Sequence, residues 1–591
     1  MSVTRAILLV FSAVVVTAGN SAPARRGLMT KPQADGSEII VRVVGDEHFH
    51  YCLSADSFLL AEYGGIYYYA SMDSAGSIAR TGYAAQSSTD FPDGLSSRFA
   101  HISSPDVTDA LSKLYTAKRA ARKRTDLLTT AFPSTGEQKS IVVIVDYQDE
   151  TFTVDDPYDF FYRMLNEEGF SDYSGTGSAA DYFHASSMDV FLPQFDVYGP
   201  VTLANDRSYY GANDSNGDDE YAWMMAVEAC EQLDDSVDFA EYDNDGDGCI
   251  DNVFIIYAGK GENADGAATT VWPHSWYVSD ADKYNAYTYD GVRLDRYACT
   301  CEWIGDRPDG IGTFVHEFSH VMGLPDLYGT GSSSPFTPGY WDVLDDGCYN
   351  NDACTPCLYG IFERYSLGWI EPYVIRGEDS LTIRSIQYNE GCIIPTDDEN
   401  EFFLIENRQQ VGWDEYIPGH GMLVWHIDYD EEAWEDNTVN NVTTHQRVDI
   451  EEADGKKTSS TRDGDAFPGT DMVTSFTDDT DPSMLTWDGT RLGLPITDIT
   501  ENKETITFNV AKGMGTDAAI SVITSTDSAP ISVSGRTLTV NAPDGSRLVV
   551  ADTKGVLIYD GTTASGERVT LPSPGVYAVN IAGHKEKITV K

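Results

Sequence analysis

Residues 316–326 read HEFSHVMGLPD and combine side chains that can bind a metal ion and move a proton. His316 and His320 are four positions apart, so on a helix both imidazoles face the same side and can bind one zinc ion. Glu317 follows the first histidine, and its carboxylate can reach a water molecule at an open coordination position. The spacing predicts a zinc site for peptide-bond hydrolysis, with Glu317 as the general base.

The third protein ligand is expected just beyond this helix. Gly323 suits the left-handed residue that ends a helix, and Pro325 prevents the helix from continuing. The chain must turn there, which lets Asp326 come back towards the metal. An alternative third ligand is Glu363 on a downstream helix, an arrangement that another large class of zinc peptidases uses. We favour Asp326.

The pattern HExxHxxGxxD, followed by Leu327 and Tyr328, resembles the metzincin-related M6 peptidases, the immune inhibitor A family. Other segments with family features are residues 180–200, the aspartate-rich loop at Asp243, and residues 341–344, 362–365 and 418–421. The resemblance implies zinc held by His316, His320 and Asp326, with Glu317 as the catalytic base and protein or peptide substrates.

One position departs from the family pattern. Members usually place a methionine in a turn beneath the metal, and the matching residue here is Leu344. Leucine is apolar and similar in volume to methionine, so we expect the apolar floor of the site to be preserved.

Composition and charge indicate an extracellular protein of several domains. The 591 residues include 94 acidic and 39 basic side chains, which gives a net charge of −55. Nucleic acid is excluded as a partner because phosphate binding needs clustered basic residues. At 41% hydrophobic and 12% aromatic residues, the chain can bury several cores.

The N-terminus indicates secretion. Arg5 precedes an apolar run over residues 6–16 and small residues at 18–22, a secretory signal with cleavage near residues 18–22. No later segment has eighteen consecutive apolar residues, so we expect no transmembrane segment. The expected location is therefore the extracellular medium or the cell surface.

Nine cysteines are present, and secretion makes disulfide bonds the expected state of the eight that follow residue 200. Cys52 is the odd one, in the N-terminal region. One hypothesis is that its thiolate caps the zinc and keeps a precursor inactive. The alternative is an unpaired or buried thiol.

The predicted fold class is multidomain α+β, with a zincin (metzincin-like) catalytic domain followed by C-terminal β-sandwich domains. Continuous apolar residues at 141–145 and three helical patterns before the metal motif indicate a mixed core. Short alternating stretches dominate after residue 371. The predicted divisions are: signal peptide 1–22, propeptide 23–138, zinc peptidase domain 139–370, β-sandwich 371–514 and C-terminal β-sandwich 515–591.

A second metal site is expected in the loop DNDGDGCID at residues 243–251. Oxygen-bearing residues at alternate positions and a glycine at the sixth match the start of an EF-hand loop. The twelfth position is Phe254 instead of glutamate, so a full EF-hand is excluded. A structural calcium site is predicted on Asp243, Asp245, Asp247 and Asp251; the alternative is an acidic turn.

The last module, 515–591, resembles the C-terminal sorting domains of Bacteroidetes proteins exported by the type IX system, which would make secretion machinery a partner. An adhesive or spacer domain is the alternative. The expected function is a secreted zinc endopeptidase made as a zymogen, acting through a zinc-bound water activated by Glu317. The alternative is a catalytically silent binding or adhesive protein that retains the peptidase fold.

Overall fold

The computed structural model describes residues 20–46, 49–72, 78–86, 99–122, 132–214, 217–264, 266–331, 335–511, 531–534, 537–540, 546–552, 557–563, 568–571, 575–581 and 584–590. The predicted signal peptide lies outside these ranges up to residue 19. The chain divides into two units, Met1–Gly513 and Met514–Lys591.

The N-terminal part of the first unit forms a six-stranded sheet. Ile39, Val41 and Val43 are buried while their neighbours are more exposed, as expected for a strand with one face on a core. The strands pair in sequence order, all antiparallel. After the short strand β1 (Asn20–Ser21), they are β2 (Met29–Pro32), β3 (Glu38–Gly45), β4 (His50–Ser54), β5 (Leu59–Tyr63), β6 (Ile66–Met72) and β7 (Ile78–Ala84), and helix α1 (Pro105–Arg122) follows.

The central sheet begins with the apolar run at residues 141–145. Val142 and Ile144 pack into one core and Ile141, Val143 and Val145 into another, so the strand is buried on both faces. The strands are β8 (Gly136–Asp146), β9 (Phe191–Thr202), β10 (Val253–Lys260), β11 (His274–Tyr277), β12 (Tyr287–Tyr289), β13 (Val292–Leu294), β14 (Arg296–Ile304) and β15 (Arg307–Pro308), of which β12 and β13 form a separate hairpin.

The strand order of this sheet is β1-β11-β14-β10-β8-β9, with β15 paired to β14. Strands β14, β10, β8 and β9 are parallel, whereas β11 is antiparallel to β14 and β1 is antiparallel to β11. The N-terminal segment therefore completes one edge of the central sheet.

Helices cover both faces of the sheet. They are α2 (Pro157–Asn166), α3 (Ala179–Ser187), α4 (Arg207–Tyr210), α5 (Trp223–Leu233), α6 (Val278–Ala281), α7 (Ile311–Val321) and α8 (Ile361–Ser366). Helices α2, α3 and α7 pack into the core that contains Val142, and α5 packs into the opposite one. The predicted mixed α+β architecture is confirmed.

Two further sheets follow the central one. The five-stranded sheet has the order β16-β18-β19-β20-β21 and the three-stranded sheet the order β17-β23-β22. The elements are β16 (Tyr373–Val374), β17 (Asp379–Arg384), β18 (Gly391–Pro395), β19 (Glu401–Arg408), β20 (Gly421–Asp428), α9 (Glu431–Glu435), β21 (Val448–Ile450), β22 (Ile496–Asn502) and β23 (Thr505–Val510). Phe403 and Ile405 of one sheet and Ile506 and Phe508 of the other share one apolar core.

The opposite face of the five-stranded sheet packs on the metal-motif side of the central sheet. Phe402 and Leu404 lie in the same core as Phe318 of α7 and Trp369. The predicted boundary at residue 370 therefore falls within a shared core, and the predicted division into domains stays a prediction.

The second unit contains two antiparallel sheets around Leu538, Leu548, Val550 and Val579. Their orders are β24-β25-β28 and β27-β26-β29-β30. The strands are β24 (Ile531–Ser534), β25 (Thr537–Val540), β26 (Ser546–Asp552), β27 (Leu557–Thr563), β28 (Arg568–Thr570), β29 (Gly575–Ile581) and β30 (His584–Val590).

The cysteines differ from expectation. All nine are free thiols, and every one except the half-buried Cys52 is buried. They pack as small apolar side chains within the cores, so the predicted disulfides are not formed in this structure. Within the described ranges, no helix has the length and apolar character needed to cross a membrane.

Candidate metal centre

Helix α7 fixes His316, Glu317 and His320. Every residue of this helix is buried, because Phe314 and Phe318 pack against the central sheet and the remaining faces lie under the following loops. The Phe314 ring centroid is 4.2 Å from that of Phe254 in β10. The metal motif is therefore anchored on a rigid element.

The helix ends as the sequence predicts. Gly323 has a φ of 91°, the left-handed conformation that a side chain disfavours. Its amide donates to the carbonyl of His320 at 2.9 Å, and the amide of Leu324 donates to that of Ser319 at 3.1 Å. These bonds close the helix and turn the chain back, which brings Asp326 beside the two histidines.

Three ligand atoms form a nearly equilateral triangle. His316 Nε2 and His320 Nε2 are 3.1 Å apart, and Asp326 Oδ1 is 3.2 Å from each. Zinc bonds of about 2.0–2.1 Å in tetrahedral geometry place ligand atoms roughly 3.3 Å apart. All three side chains are buried, so the residues fit a zinc ion with an open fourth position.

The outer nitrogens of both imidazoles orient the rings. His316 Nδ1 donates to the carbonyl of Val343 at 2.7 Å, and His320 Nδ1 donates to that of Leu324 at 2.8 Å. A proton on Nδ1 leaves the Nε2 lone pair for the metal. Burial lowers the pKa of His320, which favours the neutral ring. Burial opposes ionisation of Asp326, but the adjacent histidines outweigh it and hold the pKa of that carboxyl well below its usual range.

The residue that sequence reasoning missed is Asn437, which follows α9. Its side-chain nitrogen donates to Asp326 Oδ2 at 2.6 Å, and its side-chain oxygen accepts from the amide of Asp326 at 2.8 Å. The region beyond residue 371 therefore holds the third ligand in place. No motif pointed to Asn437, because it lies 111 residues from its partner.

Glu317 is fully buried on α7, next to the first ligand. The alternative ligand Glu363 does not join the histidines, and the metal-binding group consists of His316, His320 and Asp326. Glu363 instead lies near the carboxyl of Asp342, and burial together with this neighbour raises the pKa of Glu363 well above its usual value.

Leu344 occupies the turn after Val343 and is fully buried. Its amide donates to Asp342 Oδ1 at 2.8 Å, and its carbonyl accepts from the amide of Leu327 at 2.9 Å. The turn thus joins the loop of the third ligand to the segment that orients His316. Apolar packing around Leu344 agrees with the expected floor.

Cys52 lies in β4 and is not part of the ligand group. Its side chain packs with the core that contains Val43 and Trp272, and burial raises the pKa of its thiol. The described geometry therefore favours the buried thiol over the metal cap.

The acidic loop at residues 243–251 brings together three of its four predicted ligands. Carboxylate oxygens of Asp243, Asp245 and Asp247 lie within 4.8 Å of one another. Asp251 is not part of this group. Its Oδ2 accepts hydrogen bonds from the amide and the side chain of Asn244 at 3.1 and 2.7 Å. A calcium site stays a prediction.

Residues 117–357 match the family described as Immune inhibitor A peptidase M6, catalytic domain. Pre-pro-metalloprotease PrtV from two strains of Vibrio cholerae serotype O1 is 25% identical over 215 residues, 32% of this chain. Immune inhibitor A of Bacillus thuringiensis subsp. alesti is 25% identical over 256 residues, 36% of this chain. The matches span 23% and 36% of those relatives' own lengths.

The matched region contains α7 and the buried His-His-Asp group. The similarity to an M6 catalytic domain agrees with the geometry of this group. Together they support a zinc metalloendopeptidase.

Proposed function

We propose that this chain is a secreted zinc-dependent endopeptidase that is made as a zymogen and hydrolyses protein substrates. The observation that carries the proposal is the buried triangle of His316, His320 and Asp326 with Glu317 on the same helix. The similarity of residues 117–357 to M6 catalytic domains also supports it.

The chain's own residues supply binding, orientation and proton transfer. A zinc ion held by the triangle would polarise the scissile carbonyl and lower the pKa of a water molecule to about 7. Glu317 accepts the proton from the attacking water and passes it to the leaving amine. The hydrogen bonds to Val343, Leu324 and Asn437 keep the ligands in place, and burial excludes bulk water from the base.

The alternative is a binding or adhesive protein that retains the fold without activity. Glu317 favours the enzyme, because a purely structural zinc site needs no base and normally fills all four positions with protein ligands.

The zymogen proposal rests on the segment before the central sheet. Strands of the sheet β2 to β7 share a core with Trp272, which precedes the strand β11 near the edge of the central sheet. A propeptide that packs there must be displaced or cleaved before a protein substrate can use that edge. Secretion is supported by the signal pattern at residues 5–22.

Two finer proposals remain. A calcium ion held by Asp243, Asp245 and Asp247 would stabilise the loop that leads into β10. The all-β second unit would serve as a sorting domain for type IX secretion, in line with its sequence resemblance.

The test is hydrolysis of casein by the full chain after activation, with zinc content measured by atomic absorption. We expect Glu317→Gln to retain one zinc ion per chain and lose at least about a thousandfold in rate, the order expected when general-base catalysis is removed. The matched control is Glu241→Gln, a glutamate more than half exposed in an ion pair with Lys139. Undiminished cleavage by Glu317→Gln would sink the mechanism.

A further inference from the structure

Two buried aspartates follow the turn that orients the metal ligands. Asp345 and Asp346 come two and three residues after Val343, whose carbonyl accepts from His316 Nδ1. Asp345 Oδ2 accepts from the amide of Gly339 at 2.7 Å and its Oδ1 from the amide of Asp346 at 2.9 Å. Backbone hydrogen bonds therefore hold Asp345 in place just after the turn that orients His316.

Arg26 of the N-terminal segment occupies this acid pair. Its Nη2 is 3.1 Å from Asp345 Oδ1 and its Nε is 2.6 Å from Asp346 Oδ2. The two aspartate side chains are buried, whereas the arginine side chain is 39% exposed. The guanidinium of Arg26 thus reaches from the surface to two buried carboxyl groups.

Apart from Arg26, the buried Arg462 is the arginine near the acid pair. With Arg26 absent, the two aspartates would therefore carry excess negative charge when both are ionised. Both side-chain oxygens of Asp346 are buried and accept no hydrogen bond from the residues that the structure describes, so Arg26 meets Oδ2 as an ion pair. Burial raises the pKa of Asp346 to about 7, against the opposing effect of Arg26, so a bound cation favours its ionised form.

The backbone before Arg26 is held as an extended peptide. Strand β1 pairs with β11, and the amide of Ala22 donates to the carbonyl of Pro273 at 3.2 Å. Trp272 Nε1 donates to the carbonyl of Ala22 and Tyr349 Oη to that of Pro23, both at 2.8 Å. An edge strand that captures a peptide through main-chain bonds does so largely independently of sequence, so side-chain pockets must provide specificity.

The metal helix borders this bound segment. Helix α7 contacts both β1 and β11. An open groove of about 520 Å³ is lined in part by Tyr340 and Arg462, which lie near Arg26, and by Tyr349 and Tyr416. The N-terminal segment therefore lies beside the helix that carries His316, Glu317 and His320.

We infer that Arg26 is held as a substrate side chain would be, and that Asp345 and Asp346 form a subsite selecting an arginine or lysine side chain in protein substrates. The inference rests on the proposed function for its link to catalysis. This subsite has a consequence for the precursor. In the uncleaved chain Arg26 blocks the subsite, and once Arg26 leaves, a basic side chain of the substrate replaces it.

The first experiment measures binding without catalysis. The full-length Arg26→Ala chain vacates the acid pair, and agmatine, a small guanidinium amine, is the probe. We expect agmatine to bind this variant, by calorimetry, at least about tenfold more tightly than it binds the double variant Arg26→Ala/Asp346→Asn, since the buried carboxylate that pairs with the guanidinium is lost. Equal binding to the two variants overturns the subsite.

The second experiment measures which residues the enzyme prefers near the bonds that it cleaves. Casein digested by the activated chain is analysed by mass spectrometry, and we expect arginine and lysine to be enriched at one fixed position from the cleaved bonds. Asp346→Asn should lose this enrichment. The matched control Asp159→Asn, which removes an exposed partner of Arg163 on α2, should keep it.

The outcomes separate the two ideas. Cleavage that depends on Glu317 but shows no basic preference overturns the subsite and leaves the peptidase intact. Cleavage that does not depend on Glu317 overturns the proposed function, while agmatine binding still decides the chemistry of the acid pair.

Discussion

Asn437 and Asp326 are joined by two hydrogen bonds, one from the asparagine side-chain nitrogen to Asp326 Oδ2 and one from the Asp326 amide to the asparagine oxygen. Asn437 thus holds Asp326 through both its side chain and its backbone. This fixes the rotamer of Asp326 in which the other carboxylate oxygen, Oδ1, faces the histidines.

Replacing Asn437 with alanine should therefore weaken zinc binding about 10–100-fold, the usual cost of removing an outer-shell partner. Zinc dissociation constants would be measured by competition with a chromophoric chelator. Asn441→Ala is the matched control, because Asn441 hydrogen-bonds to Thr330 in the same loop. Zinc affinities that are equal for the two variants would contradict this role of Asn437.

Substitutions at Leu344 test the expected apolar floor of the metal site. Leu344→Met should change the free energy of unfolding by less than about 1.5 kcal/mol, because it conserves volume. Leu344→Ala should cost about 2–5 kcal/mol, since it leaves a cavity in a fully buried position. Urea unfolding followed by tryptophan fluorescence gives both values. A methionine variant as unstable as the alanine variant would show that shape, and not volume, sets the floor.

His426 predicts a pH dependence of stability. Its Nε2 is 2.8 Å from Glu401 Oε1 and its Nδ1 is 3.1 Å from Glu451 Oε1. Burial opposes the charge, but hydrogen bonds to both glutamates raise the pKa of His426 from 6.5 to about 9. Because both ring nitrogens donate, this histidine is not available as a metal ligand.

A raised folded pKa means that the stabilisation is complete below pH 6.5 and is lost as the pH rises through about 9. Relative to His426→Gln, the unaltered chain should lose up to about 3 kcal/mol of unfolding free energy between pH 6 and pH 9.5. Urea midpoints of both chains at the two pH values measure this difference. Parallel pH profiles would exclude the charged histidine.

The buried pair Arg408 and Asp414 predicts strong coupling. Arg408 Nε and Nη2 donate to the two oxygens of Asp414 at 2.9 and 2.6 Å, and neither side chain is exposed. Arg408→Met should destabilise the chain by about 3–5 kcal/mol because it leaves a buried charge unpaired. The double variant Arg408→Met/Asp414→Asn should recover part of this loss. Additive losses in a double-mutant cycle would refute the coupling.

The sequence by itself predicted the group of His316, His320 and Asp326 and the position of Glu317 on the same helix. His316, Glu317 and His320 lie on one turn of helix, and Gly323 and Pro325 impose the reversal that returns Asp326. These relationships are local, so the geometry of a helix and its terminus fixes them whatever the rest of the chain does. The same holds for β8, whose apolar run requires burial on both faces.

The tertiary structure alone decided which distant residues complete the site. Asn437 reaches Asp326 and Arg26 reaches Asp345 only because separate sheets pack together, over 111 and 319 residues of chain. It also places Glu363 beside Asp342 and Asp251 beside Asn244, outside the groups of side chains that could hold a metal ion. Spacing along the chain carries no information about such contacts, because they depend on how whole elements bury their apolar faces against one another.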